Sequence, residues 1–138
     1  MKKILILNGP NLNLLGKREP EIYGSKSFEE FLAELKIEFP QVEFTYFQSN
    51  HEGLIIDKLH EDCWDGIVMN PGGLAHTSVV LLDAIKGINT LVVEVHISDV
   101  SQRESFRKVL LSSQGCVKTI SGKGLKGYQE GVSYFLNS

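Results

Sequence analysis

An α/β domain built on a doubly wound, five-stranded parallel sheet is the fold this sequence predicts, and three observations predict it. Five short runs rich in aliphatic and β-branched residues recur along the chain: KILILN, VEFTYFQ, GIVMN, TLVVEVH and CVKTI. Amphipathic stretches of helical period lie between them. The runs are read as apolar on both faces, as strands are when helices cover both sides of a parallel sheet. Right-handed crossovers then give three αβα layers.

Taken in order, the first strand is expected over 3 to 8. A helix follows over 27 to 39. Ser27 and Glu30 have the spacing of a capping box, Phe28, Phe31, Leu32 and Leu35 recur at helical intervals, and the ring of Pro40 cannot continue the turn. Further strands are expected over 42 to 48, 66 to 70, 90 to 96 and 116 to 120, and further helices over 52 to 62, 77 to 86 and 125 to 136. A polar loop with a short helical piece separates the fourth strand from the fifth. The segment SGKGLKGYQEG, Ser121–Gly131, contains GxGxxG, but a dinucleotide fingerprint needs another strand and an acidic residue about twenty positions on. Too little chain follows Gly127 for that. These glycines are read as a tight turn and close packing of the last helix.

A chain of 138 residues, 42% of them apolar, suits one domain over 1 to 138 that buries its own core. The formal net charge is -3, and the fourteen Lys and Arg are scattered rather than striped. A small molecule is therefore expected as partner rather than nucleic acid. No run is long enough for a signal peptide or a membrane span, which points to the cytoplasm. Cys63 and Cys116 have no metal-ligand or redox-pair spacing and read as reduced core residues.

In a doubly wound sheet the ligand lies beyond the carboxyl ends of the strands, where strand order reverses. Three polar segments meet that condition. The first, NGPNLNLLGKREPEIYG over 8 to 24, crowds amides, a guanidinium and a phenol onto the connection after strand 1, and its length suggests a lid over about 9 to 24. The second, NPGGLAHTS from Asn70 to Ser78, lets backbone approach a ligand at its two glycines and offers Thr77 or Ser78 as a helix cap. The third, HISDVSQRESFR from His96 to Arg107, brings the Ile97 and Ser98 amides together with two guanidinium forks, Arg103 and Arg107, suited to a carboxylate. Glu94 and His96 are two apart on a strand and share a face, so the carboxylate can fix one imidazole tautomer. His51 and His60 read as ordinary exposed or satisfied rings.

Together these segments, with QSNHEG at 48 to 53 and GYQEGVSYFL near the end, resemble the type II 3-dehydroquinate dehydratases over essentially the whole chain. The resemblance implies a flavodoxin-like fold and conversion of 3-dehydroquinate to 3-dehydroshikimate in the shikimate pathway, by anti elimination of water through an enolate. It also implies no cofactor, no metal, and a homododecamer built as four trimers. Carried over position by position, the base falls on Tyr23, the essential lid arginine on Arg18 and the general acid on His96, with Glu94 beside it. Asn11 matches the asparagine that holds a water against the developing enolate oxygen. Substrate contacts fall on Asn70, His76, the Ile97 and Ser98 amides, and Arg107, while Asp83 matches an acidic residue that reaches a neighbouring subunit's site.

The chain departs from the common pattern at Ala75, Leu82, Asp99, Ser101 and Gln102, none of them the implied base, acid or lid arginine. Two other classes fit the fold less well. A flavin- or phosphate-binding module would need Ser and Thr clustered in the first loop, and a receiver-type domain would need acidic residues where the first and third strands end in Asn8 and Asn70.

Overall fold

The computed structural model describes residues 1–17, 21 and 25–137. Five parallel strands, β1 (Lys2–Asn8), β2 (Val42–Gln48), β3 (Gly66–Asn70), β4 (Val92–His96) and β5 (Lys118–Ser121), form one sheet in the order β2-β1-β3-β4-β5. This is the flavodoxin-like order, with the reversal between β1 and β3. The α-helices that lie wholly within the described residues are α1 (Phe28–Glu38), α2 (Glu52–His60), α3 (Leu74–Thr77), α4 (Val79–Gly87) and α5 (Lys126–Leu136). No helix among the described residues is long and apolar enough to cross a membrane.

Strand alternation sorts the core into two layers. Ile4, Ile6, Val68, Val93 and Val95 face α1 and α5, where Phe28, Phe31, Tyr128 and Phe135 pack on them. Leu5, Leu7, Ile67, Met69 and Val92 face α2 and α4, meeting Ile55, Leu59, Leu81 and Ile85. Each such side chain removed from water contributes about 1.5–3 kcal/mol. The capping box at the start of α1 is formed: Ser27 Oγ accepts from the Glu30 N–H at 3.1 Å, and Glu30 Oε1 accepts from the Ser27 N–H at 3.3 Å.

The register aligns polar residues along one rim. Asn8 lies opposite both Gln48 and Asn70, and His96 opposite Ser121. The last helix sits close to the sheet because it carries glycines: a Cβ on Gly127 would meet Val95 at 2.9 Å, and one on Gly131 would meet Val68 at 2.9 Å. The turn before it takes positive φ at Gly122 and Gly124. The GxGxxG segment therefore does the structural work expected of it.

Several boundaries differ from the sequence reading, each for a physical reason. The helix expected over 77 to 86 runs from Val79 to Gly87 with Ser78 as its cap, the Ser78 hydroxyl accepting from the Leu81 N–H at 3.0 Å, and a separate short helix, Leu74–Thr77, precedes it. β4 begins at Val92 rather than 90, because the Thr90 N–H and hydroxyl are both donated to the Asp62 carboxylate. β5 begins at Lys118 rather than 116, because the Cys116 N–H closes a 3₁₀ turn onto Ser113. The loop between those strands holds three short 3₁₀ segments, Val100–Gln102, Ser105–Lys108 and Ser112–Gly115, rather than one helical piece. The edge strands also break the all-apolar expectation: in β2 only Val42 is buried, and in β5 only Ile120. Cys63 is exposed rather than in the core, and Cys116 is half-buried; both are free.

Candidate functional site

The buried pair at the end of β4 is the centre of the site. Glu94 and His96 share strand parity with Val92, so both project toward the α2/α4 side of the sheet. His96 Nε2 lies 2.6 Å from Glu94 Oε2, with Glu94 fully buried and His96 5% exposed. A carboxylate at that distance accepts the Nε2 proton, which leaves Nδ1 for another partner. The second carboxylate oxygen, Oε1, accepts the Ser112 hydroxyl at 2.5 Å and lies 3.8 Å from the Cys116 sulfur. Burial pushes the Cys116 thiol far above its ordinary value, with Glu94's charge adding to the effect, so the sulfur stays protonated.

Asn8 and Asn70, at the reversal point, project toward the other layer and meet Tyr128 of α5. The Tyr128 hydroxyl donates to Asn8 Oδ1 at 2.7 Å and accepts from Asn70 Nδ2 at 3.1 Å. Asn70 Oδ1 accepts from the Gly72 N–H at 3.0 Å, which fixes the amide at both ends. Complete burial pushes the Tyr128 phenol well above its usual range, keeping it a neutral hydroxyl. The loops leaving β1 and β3 touch backbone to backbone: a Cβ on Gly9 would lie 2.5 Å from the Pro71 carbonyl oxygen, and one on Gly72 would lie 2.9 Å from that of Pro10.

Between these loops opens a cavity of about 140 Å³, a scale that takes up one six-membered ring. Asn70, His76, His96, Ile97, Ser98 and Arg107 line it, with Asn11 and Arg103. Leu12, Leu14 and Leu15 add an apolar wall. His76 Nδ1 donates to the Val109 carbonyl at 2.9 Å, and its ring centroid lies 6.4 Å from that of His96. Arg103 Nη1 donates to Ser98 Oγ at 3.3 Å, and Arg107 Nε pairs with Glu104 at 2.7 Å. The Arg107 hydrogen bond holds the Glu104 carboxyl below its ordinary range. Two guanidinium groups and two imidazoles on one small cavity suit an anionic molecule.

Of the residues singled out in the sequence, Asn11, Asn70, His76, His96, Ile97, Ser98 and Arg107 meet on this cavity, and Glu94 lies directly behind His96. Asp83 is not brought to it; it is exposed on α4. Arg18 and Tyr23 lie outside the described residues. Sequence reasoning missed Ser112, which carries no local motif, and the pairing of Tyr128 with Asn8 and Asn70. Among the described residues no group of three or more His, Cys, Asp or Glu is placed to hold a metal ion.

The chain is similar to known proteins over nearly its whole length. The family model described as dehydroquinase class II matches residues 2–136. A protein of Bacillus pumilus named 3-dehydroquinate dehydratase is 48% identical, with 99% of this chain and 96% of that protein covered. One of the same name from Chlorobaculum tepidum is 45% identical, covering 96% of this chain and 93% of its own. The crystal structure of a type II dehydroquinase from Butyrivibrio crossotus superposes with a TM-score of 0.95 at 42% identity, covering 99% of this chain and 98% of that one. With the family model spanning nearly the whole chain and these relatives matching end to end, the chain belongs to the class II dehydroquinase family.

Proposed function

We propose that this protein is a hydro-lyase that removes water from 3-dehydroquinate to give 3-dehydroshikimate, by anti elimination through an enolate. The observation that carries the reading is the buried Glu94–His96 pair, opening on a cavity lined by Arg103 and Arg107, in a chain of this family. Asn70, His76, the Ile97 and Ser98 amides, and Arg107 contact the substrate, the guanidinium fork suiting its carboxylate.

Free tyrosine has a pKa of about 10 and needs a nearby cation to act as a base at neutral pH. Arg18 supplies that cation to Tyr23. The Tyr23 phenolate takes the proton α to the ketone, and the C–H electron pair becomes the enolate, whose oxygen is met by a water held by Asn11. When the carbonyl re-forms, the same pair makes the ring double bond and expels the hydroxyl on the opposite face. His96, entering this step with a proton on both ring nitrogens, gives the one on Nδ1 to that hydroxyl, so that water departs, while Nε2 stays bonded to Glu94. No cofactor or metal takes part in these steps. Residues 9–24 act as a lid on a single catalytic domain, consistent with Asn11, Leu12, Leu14 and Leu15 lying in the cavity wall.

The same reading places the enzyme in the cytoplasm as a homododecamer of four trimers, with Asp83 of one copy reaching a neighbour's site. The exposure of Val79 and Val80 on the same helix supports a partner there. The test is to incubate the protein with 3-dehydroquinate in EDTA and follow the ultraviolet absorbance of the conjugated enone. Undiminished turnover is expected; a folded protein that forms no enone would sink the proposal.

A further inference from the structure

The two oxygens of the Glu94 carboxylate have different partners, and only one of them is the imidazole. Oε2 meets His96, while Oε1 accepts the Ser112 hydroxyl at 2.5 Å; Glu94 and Ser112 are both fully buried. The last torsion of a glutamate is broad and weakly restrained. A carboxylate held at one oxygen turns about that bond; held at both, it cannot. Ser112 is itself fixed, because the chain just before it is tied to the short helix carrying His76: the Leu111 N–H donates to the Ala75 carbonyl at 2.7 Å, and the Val109 carbonyl accepts from His76 Nδ1. One segment, 109–112, thus secures both imidazoles of the cavity.

We propose that Ser112 is a positioning residue for the elimination, its hydroxyl locking the Glu94 carboxylate in the orientation that sets the His96 ring. This rests on the reading of His96 as the acid. The charged and titratable groups facing the pair among the described residues are His76 across the cavity, the protonated Cys116 thiol beside Oε1, and Arg103 and Arg107 on the cavity wall.

In the Ser112→Ala variant Oε1 keeps, among the described residues, only the distant thiol. Misplacement of a catalytic group by a fraction of an ångström to 1 Å costs up to about 100-fold in rate. Steady-state kinetics should show kcat lowered by about tenfold or more with KM within about twofold. The alkaline limb of the kcat–pH profile should move. A native kcat and profile in folded Ser112→Ala, or a raised KM at unchanged kcat, overturns the proposal. Should Ser112→Ala fail to fold, Ser112→Cys, nearly the same shape but only a weak donor, carries the same expectation and the same refutation. His96→Ala, assayed in parallel, separates the two levels. If it is inactive while Ser112→Ala is normal, only the positioning role falls; if it turns over normally, the underlying reading falls.

Discussion

The Tyr128 hydroxyl, on the last helix, donates to Asn8 at the end of the first strand across 2.7 Å, joining the two ends of the chain beneath the rim of the site. The same oxygen accepts from Asn70, so one buried phenol serves both asparagines at the point where strand order reverses. Removing the hydroxyl in Tyr128→Phe leaves Asn8 Oδ1 without its short donor and releases one side of the Asn70 amide. A buried polar group stripped of its partner costs about 1–3 kcal/mol. Urea unfolding should therefore show a lower midpoint with an unchanged m value; an unchanged midpoint would refute this account of the rim.

Loss of either proton-transfer group should depress kcat far more than it raises KM. Positioned acids and bases contribute about 10²- to 10⁴-fold each. Tyr23→Phe and His96→Ala are each expected to lose activity on that scale while still binding a substrate-like carboxylate, measured by calorimetric titration. Near-normal kcat in folded Tyr23→Phe would remove it as the base.

Acid stability should depend on Asp62, which sits far from the cavity at positive φ. Its carboxyl is held at about 2 by the Asn89 N–H first, then by the Thr90 hydroxyl and N–H and the Asn89 side chain. A carboxyl lowered in the folded state stabilises fully above its unfolded pKa of about 3.9, and the contribution fades as pH falls through the folded value. Unfolding midpoints followed from pH 5 to 2 should fall in the parent protein. In Asp62→Asn they should start lower and fall less steeply, and parallel curves would rule the linkage out.

Two glycines should respond in opposite directions to alanine. A Cβ on Gly9 collides with the Pro71 backbone, which cannot move without opening the loop that carries Asn70, so Gly9→Ala should destabilise by about 1–3 kcal/mol and raise KM. Gly53, in the first turn of α2, has nothing within 4 Å of its missing Cβ. There alanine lowers the entropy of the unfolded chain and should stabilise by about 0.4–1 kcal/mol. Thermal melts of both variants check the pair.

Much of this protein could be read from the chain alone, because the relevant physics is local. The capping box of Ser27 and Glu30, the apolar period of α1 and the stop at Pro40 each lie within a few residues. The pairing of Glu94 with His96 follows from strand alternation at a spacing of two. Arg18 and Tyr23 entered through the likeness of the first loop to a known family, and they lie outside the described residues. Where a local signal competed with a distant partner, the distant partner prevailed: Thr90 belongs to Asp62 rather than to the fourth strand.

By itself the sequence determined the kind and order of the elements, the rim on which the polar segments gather, and the carboxylate behind the imidazole. Only the tertiary structure decided what holds those groups still. Ser112 reaches Glu94 across 18 positions, and Tyr128 reaches Asn8 across 120. No periodic pattern or turn motif spans such distances. They are closed by packing helices on both faces of the sheet, and the burial that results makes each hydrogen bond costly to leave unmade.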